Sequence, residues 1–165
     1  MAQVTLRGNA LNTNGDLPAL GSSAPDFTLT GNDLGDLTKE SLAGQKVILN
    51  IFPSIDTPTC ATSVRTFNQK AAEREGTVVI NVSEDLPFAM NRFCGAEGIE
   101  NVKVASAFRS DFTETYGLKL QDGPLRGLAA RAIVVLDENG NVAHTQLVGE
   151  IADEPDYDAA LAALG

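Results

Sequence analysis

Three nearly continuous apolar runs along the chain predict the centre of a β-sheet. They are KVILNIF (46–52), TVVINV (77–82) and RAIVVLD (131–137). Runs of this length between turn residues are typical of strands that are buried on both faces. DENG (137–140) has the composition of a tight turn, so GNVAHTQLVG (140–149) is predicted to form a hairpin with the third run.

Shorter patterns near the N-terminus predict two further strands. QVTLR (3–7) and PDFTLTG (25–31) alternate apolar and polar residues, as a strand with one buried face does. NGDLPALG (14–21) lies between them, is rich in turn residues and is predicted to be a loop.

The spacing of apolar residues changes to a helical period over residues 57–75. Cys60, Val64, Phe67 and Ala71 fall at i, i+4, i+7 and i+11, which places them on one face of a helix. Because this helix separates the first two apolar runs, a βαβ unit with a parallel strand pair is predicted.

Three shorter helices are predicted nearer the C-terminus. Residues 87–98 begin with Pro87, which suits the first helical position, and Gly95 is expected to stop this helix. Residues 110–117 and 155–165 are predicted to form the other two.

The order of elements predicts an α/β fold with a central mixed sheet flanked by helices. A βαβ half followed by a ββα half is the order of thioredoxin-like folds. The length of the chain favours one core, so residues 1–165 are predicted to form a single domain.

Composition and charge argue against several classes of partner. No apolar run reaches the roughly 18 residues needed to span a membrane, so no membrane association is expected. The formal net charge of −10 would repel phosphate backbones, so no nucleic-acid partner is expected. The N-terminal residues lack the apolar core of a secretion signal, and the protein is therefore expected to be cytoplasmic.

The cysteine and histidine content limits the chemistry further. The chain has two cysteines, Cys60 and Cys94, and one histidine, His144, which is too few for a usual Cys/His zinc site. In a reducing compartment a cysteine pair is more often catalytic or redox-sensing than a permanent disulfide. The alternative is that both are small buried hydrophobic residues. His144 is expected to be an ordinary residue of its strand.

Cys60 lies at the predicted start of a helix, just beyond a buried strand. Pro53 ends the strand, Thr57 or Asp56 is the predicted N-cap, and Pro58 suits the first helical position. Unpaired backbone N–H groups and the positive end of the helix dipole favour a thiolate in this turn. Position alone is equally compatible with a core cysteine on the apolar face.

Thr57 and Arg131 are candidate partners of the sulfur. Thr57 takes the place of the first cysteine of a C-x-x-C motif, so its hydroxyl can donate to the sulfur or to an approaching oxygen. Arg131 opens a buried run near a strand end, although an exposed edge charge is the alternative there. Arg65 lies about 140° around the helix from Cys60 and is predicted to point away.

These motifs resemble those of a known family. PSIDTPTC (53–60) matches the pattern P-x-x-x-T-x-x-C of peroxiredoxins. FPSIDTPTCATSVRTFNQ (52–69) together with SEDLPFAMNRFCGAEG (83–98) resembles the thiol peroxidase subfamily, of the atypical 2-Cys type. The similarity covers essentially the whole chain.

The resemblance implies a role for each site residue. Cys60 corresponds to the peroxidatic cysteine, and Thr57 to the threonine that hydrogen-bonds the sulfur and the peroxide. Pro53 corresponds to the proline that shields the pocket, and Arg131 to the arginine that holds thiolate and peroxide. Phe88 is a weak candidate for a pocket residue that admits alkyl hydroperoxides.

The resemblance also implies a cycle and its partners. A peroxide oxidises Cys60, Cys94 closes an intramolecular disulfide, and thioredoxin reduces it. The expected protein is a homodimer with an N-terminal β-hairpin and with no metal or bound cofactor. Because a disulfide needs Cα atoms within about 7 Å, residues 90–98 are predicted to unwind during each turnover.

Two other classes of function remain open at this point. One is a thiol–disulfide oxidoreductase or redox-sensing binding protein on the same fold, which would show no peroxide-dependent turnover. The other is a noncatalytic globular domain with inert cysteines.

Overall fold

The computed structural model describes residues 1–71 and 74–165 and shows a mixed α/β fold. The strands, in chain order, are β1 (Gln3–Leu6), β2 (Asn9–Asn12), β3 (Thr28–Gly31), β4 (Asp36–Thr38), β5 (Lys46–Ile51), β6 (Thr77–Ser83), β7 (Lys103–Ser106), β8 (Ala132–Leu136) and β9 (Val142–Leu147). The helices are α1 (Pro58–Ala71), α2 (Pro87–Glu97), α3 (Phe112–Thr115) and α4 (Tyr157–Ala162), and a 3-10 turn covers Glu40–Leu42.

Seven strands form one mixed sheet in the order β4-β3-β7-β6-β5-β8-β9. β5 runs parallel to β6 and antiparallel to β8, which confirms the predicted βαβ unit. β8 and β9 form the predicted hairpin, and the N–H of Gly140 donates to the carbonyl of Asp137 in its turn at 3.0 Å. β1 and β2 pair in a separate N-terminal hairpin, as the family resemblance implies.

Apolar side chains of the central strands alternate between two faces of the sheet. In β5, Val47, Leu49 and Ile51 join a core with the N-terminal hairpin and α3, whereas Ile48 joins a core with α1 and α4. Because both faces are covered, these strands consist of continuous apolar runs rather than alternating ones.

The lengths of several elements differ from the prediction. The helix predicted for residues 57–75 reaches Ala71, residues 72–73 lie outside the described residues, and Arg74 is not helical. α3 and α4 are each shorter than the predicted helices. β2, β4 and β7, of four, three and four residues, were not predicted from the sequence.

The end of α2 shows that the predicted role of Gly95 is wrong. Gly95 lies inside the helix, and Gly98 ends it with a left-handed backbone of φ 65°, which glycine adopts without strain. The N–H groups of Gly98 and Ile99 both donate to the carbonyl of Cys94. Cys94 therefore lies in the last turn of α2, one turn before the capping glycine.

The N-terminal hairpin is attached to the loop after β9 through Glu150. Arg7 and Gly8 form its turn and both have positive φ, as a tight hairpin turn requires. The carboxylate of Glu150 accepts hydrogen bonds from the N–H of Ala152 (2.9 Å), the N–H of Gly8 (3.0 Å) and the hydroxyl of Thr5 (3.0 Å). The two backbone donors are the largest causes that lower the pKa of Glu150 from 4.5 to about 2.

None of the helices in the described part of the chain is both long and apolar enough to cross a bilayer.

We expect Glu150→Gln to loosen the contact between hairpin and loop at neutral pH. Because folding lowers the pKa of Glu150, its stabilising effect is present above the ordinary value of 4.5 and is lost as the pH falls through about 2. Urea unfolding should therefore give a lower midpoint for the variant at neutral pH, and the difference from wild type should shrink in acid. Glu40→Gln, at an exposed carboxylate, is the control. A difference that is independent of pH would contradict this account.

Candidate active site

The loop after β5 brings Pro53, Thr57 and Cys60 to the carboxyl edge of the central strands. Pro53 is buried, and α1 begins at Pro58. Thr57 occupies the N-cap position, because its carbonyl accepts the N–H of Ala61 at 3.0 Å. Cys60 is therefore the third residue of α1, in the predicted first turn, and it is fully buried.

The hydroxyl of Thr57 is engaged within the loop rather than on the helix or the sulfur. Its Oγ1 donates to the carbonyl of Ser54 at 3.0 Å. A change of the Thr57 side-chain rotamer would free this donor for another acceptor.

Asp85 fixes the loop that precedes Cys60. Its carboxylate accepts hydrogen bonds from the hydroxyl of Ser54 (2.8 Å), the N–H of Ile55 (2.7 Å) and the hydroxyl of Ser83 (2.5 Å). Asp85 is not among the residues predicted from the sequence. Its signal was its place just after β6, because parallel strands end at the same edge of a sheet and that edge carries the sites of α/β folds.

Arg131 brings its guanidinium to the sulfur of Cys60. Nη2 donates to Sγ at 3.2 Å, and Nε donates to the carbonyl of Ile151 at 2.8 Å. The residue is 1% exposed, so the alternative of an exposed edge charge is wrong. Within the described residues, Nη1 has no hydrogen-bond partner and no ion pair includes Arg131.

The environment of Cys60 combines two opposing influences on the charge of its sulfur. Burial in an apolar cluster favours a neutral thiol. A guanidinium at 3.2 Å and the N-terminus of α1 favour a thiolate. A buried cation without a carboxylate is costly, so an anionic sulfur would lower the energy of both groups. The apolar cluster consists of Phe52, Ile55, Val64, Met90 and Val104.

Cys94 packs against the same apolar cluster from α2. Both cysteines are free thiols, and Cys94 is half-buried whereas Cys60 is fully buried. Burial raises the pKa of the Cys94 thiol, so this sulfur is held in its neutral form. The two sulfurs thus lie in one region but in unlike electrostatic surroundings.

Arg65 connects the two helices that carry the cysteines. As predicted, it is directed away from Cys60. Its Nη2 and Nε donate to the two carboxylate oxygens of Glu97 on α2, at 2.7 and 3.3 Å. Its Cζ also lies 5.5 Å from the ring centroid of Phe93, next to Cys94. The hydrogen bond from Arg65 lowers the pKa of Glu97, so this ion pair persists at neutral pH.

The two remaining candidate residues, Phe88 and His144, lie on α2 and β9. Phe88 is 65% exposed on α2 and is not among the described residues that pack in the cluster around Cys60. His144 lies on the edge strand β9 opposite Val135, as expected of an ordinary strand residue.

Known proteins share this fold and sequence. The Redoxin family matches residues 19–161. Thiol peroxidases from Mycobacterium tuberculosis and Corynebacterium glutamicum are 65% and 56% identical to the chain, over 100% and 99% of its length and 99% of theirs. A solved structure of a peroxiredoxin-like protein from Aquifex aeolicus has a TM-score of 0.91 at 38% identity, and the match covers 98% of this chain and 95% of that one.

These matches confirm the predicted thioredoxin-like fold and the predicted resemblance to thiol peroxidases. They extend over nearly the whole chain, including the loop with Cys60 and the helix with Cys94. The chain belongs to the Redoxin family, as a peroxiredoxin-type oxidoreductase of the thiol peroxidase group.

Proposed function

We propose that the chain reduces hydrogen peroxide and organic hydroperoxides, with Cys60 as the nucleophile and Cys94 as the resolving thiol. The observation that carries the proposal is the buried guanidinium of Arg131 at 3.2 Å from the sulfur of Cys60. A buried cation at this distance stabilises a thiolate. Its Nη1, which has no partner among the described residues, is available to a peroxide oxygen.

The first step oxidises Cys60 by two electrons. The thiolate attacks one peroxide oxygen, so that an S–O bond forms and the O–O bond breaks. The leaving oxygen takes up a proton and departs as water or an alcohol, and Cys60 becomes a sulfenic acid. Thr57 would turn its hydroxyl from the Ser54 carbonyl to the peroxide, and the buried Pro53 would shield the pocket from water.

The second step joins the two cysteines within one chain. The Cys94 sulfur attacks the sulfenic sulfur of Cys60, an S–S bond forms, and the hydroxyl group leaves with the Cys94 proton as water. A thioredoxin dithiol then supplies two electrons and two protons, restores both thiols and becomes a disulfide itself. The contact of both cysteines with one apolar cluster supports an intramolecular bridge.

Three properties of the protein as a whole accompany this proposal. Residues 1–165 are proposed to form one domain, and the seven-stranded sheet supports this because it combines strands from Thr28–Gly31 to Val142–Leu147. The chain works in the cytoplasm, where thiols are kept reduced. It works as a homodimer, a property taken from the family resemblance, and sedimentation at several protein concentrations would check it.

Replacing each cysteine in turn by serine separates their two roles. Cys60→Ser should reduce peroxide consumption to background, because the attacking sulfur is lost. Cys94→Ser should consume one equivalent of peroxide and then stop with thioredoxin as reductant, because the sulfenic acid has no resolving partner. The chain has no tryptophan, so rapid-quench mass spectrometry is a better measurement than intrinsic fluorescence. Equal, mild effects of the two variants would contradict the assigned roles.

The variant Arg131→Gln tests the proposed role of the Arg131 guanidinium in the reaction with peroxide. Loss of the charge and of the free donor should slow the reaction of reduced protein with peroxide about 10²- to 10³-fold, as removal of one donor to a developing anion does elsewhere. Competition kinetics against a second peroxide-consuming reagent measures this rate. Arg126→Gln makes the same change of charge at an exposed residue and should leave the rate unchanged. A rate for Arg131→Gln within a factor of two of wild type would rule out its proposed role.

The proposed disulfide requires the last turn of α2 to open, and Arg65 holds that turn closed. Glu97→Gln should weaken the ion pair, expose residues 90–98 more often and speed disulfide formation about two- to five-fold, the range expected for an exposed pair. Hydrogen exchange of the α2 amides should rise in parallel.

A charge exchange provides the control for this ion pair. The double variant Arg65→Glu with Glu97→Arg should return the rate of disulfide formation toward wild type. Lys70→Gln removes another exposed ion pair of α1, with Asp158, and should have no effect. If Glu97→Gln and Lys70→Gln act alike, the ion pair between α1 and α2 does not control opening.

A further inference from the structure

Three polar side chains are fully buried between the sheet and α1, in a region that is otherwise apolar. Asn50 of β5 and Asn81 of β6 are direct neighbours in the register of the parallel pair. Ser63 of α1 is also 0% exposed and lies within hydrogen-bond distance of Asn50.

Hydrogen bonds connect these side chains to the backbone of Cys60. The Nδ2 of Asn50 donates to the Oδ1 of Asn81 at 2.8 Å and to the Oγ of Ser63 at 3.1 Å. The Oγ of Ser63 donates to the carbonyl of Cys60 at 2.7 Å. At the other end, Asn81 donates to the carbonyl of Lys103 in β7 at 3.1 Å. The result is a continuous chain of bonds from the sheet to the turn that carries the nucleophile.

One atom of this buried chain of hydrogen bonds carries an energetic cost. The Oδ1 of Asn50 has no partner among the described residues, and a buried acceptor without a partner costs folding free energy. Apolar side chains at the same places would avoid that cost. What the polar residues provide instead is a directed contact with Cys60, which apolar side chains cannot make.

We propose that Ser63 and Asn50 are positioning residues for the attack of Cys60 on peroxide. This inference rests on the proposed function of Cys60. Ser63 holds the Cys60 carbonyl, and Asn50 holds Ser63 to the sheet, so the first turn of α1 stays closed. A closed turn keeps the sulfur at 3.2 Å from Arg131.

The same contacts decide which of the two cysteine-bearing helices opens. The first turn of α1 is held by bonds that water does not reach, whereas the last turn of α2 is held by the exposed pair of Arg65 with Glu97. Local opening is easier where the contacts are exposed. Loss of the Ser63 hydroxyl should therefore slow the attack without slowing the formation of the disulfide.

The test compares Ser63→Ala with two other variants of the same helix. Ser63→Thr keeps the hydroxyl. Thr66→Val removes a similar hydroxyl-to-carbonyl bond, from Thr66 to Thr62 at 2.9 Å, which has no link to Cys60. In a Cys94→Ser background, the rate of peroxide attack should fall between about ten- and a hundred-fold for Ser63→Ala, as expected for a misplaced reacting group. Ser63→Thr should recover most of the rate, and Thr66→Val should not change it.

A second readout separates positioning from a general loss of structure. With Cys94 present, disulfide formation after oxidation should be as fast in Ser63→Ala as in wild type, or faster. Attack and disulfide formation slowed by the same factor would overturn the proposal, as would an attack rate equal to wild type.

A third readout does not depend on peroxide chemistry. Hydrogen exchange of the amides in residues 60–64, and alkylation of Cys60 by iodoacetamide, should both be faster in Ser63→Ala than in Thr66→Val. If the wild type fails to consume peroxide, the proposed function fails, and these two measurements still decide whether Ser63 holds the turn. Unchanged exchange and alkylation in Ser63→Ala would refute the positioning role.

Discussion

A buried guanidinium that pairs with no carboxylate in the described part of the chain is the constraint on which the site depends. Arg131 is 1% exposed, and the cost of taking its charge out of water is offset only by the acceptors that reach it. In the reduced chain these acceptors are the carbonyl of Ile151 and the sulfur of Cys60. Nη1 has no partner among the described residues, so part of this cost remains uncompensated. In the proposed reaction a peroxide oxygen accepts a hydrogen bond from Nη1, so this part of the interaction forms only when substrate is bound.

Distant parts of the chain keep this guanidinium in place. The carbonyl of Ile151 belongs to the loop after β9, which Glu150 ties to the N-terminal hairpin. The hydroxyl of Thr59 in α1 donates to the carbonyl of Ala152 in the same loop at 2.9 Å. Hairpin, loop and helix therefore define the position of Arg131 together. The N-terminal hairpin thus acts on the site indirectly, through the position of the loop after β9.

Features of the fold that depend on residues close together in the sequence could be predicted from it. The central strands are continuous apolar runs, and Pro58 begins α1 as its ring favours. The residue that ends α2 could not be predicted. Gly95 and Gly98 are both glycines, and only the backbone conformation shows that Gly98 is the one with positive φ. The role of Asp85 was missed because its bonds to Ser54 and Ile55 span 31 and 30 positions. These bonds exist only once β5 and β6 are paired, so the place of Asp85 after β6 indicates the edge of the sheet but not its partners there.

In the proposed cycle the two cysteines need opposite mechanical properties, and the fold provides them at different helix ends. A nucleophile works best at a fixed distance from its stabilising cation, and Cys60 lies in a turn with buried hydrogen bonds. A resolving thiol has to move, and Cys94 lies half-buried in a turn that an exposed ion pair holds closed. Because exposed contacts open at a lower free energy than buried ones, α2 yields before α1. In the proposed cycle Cys94 attacks only after Cys60 has become a sulfenic acid. The way each helix end is held lets Cys94 move at that stage while Cys60 stays beside Arg131.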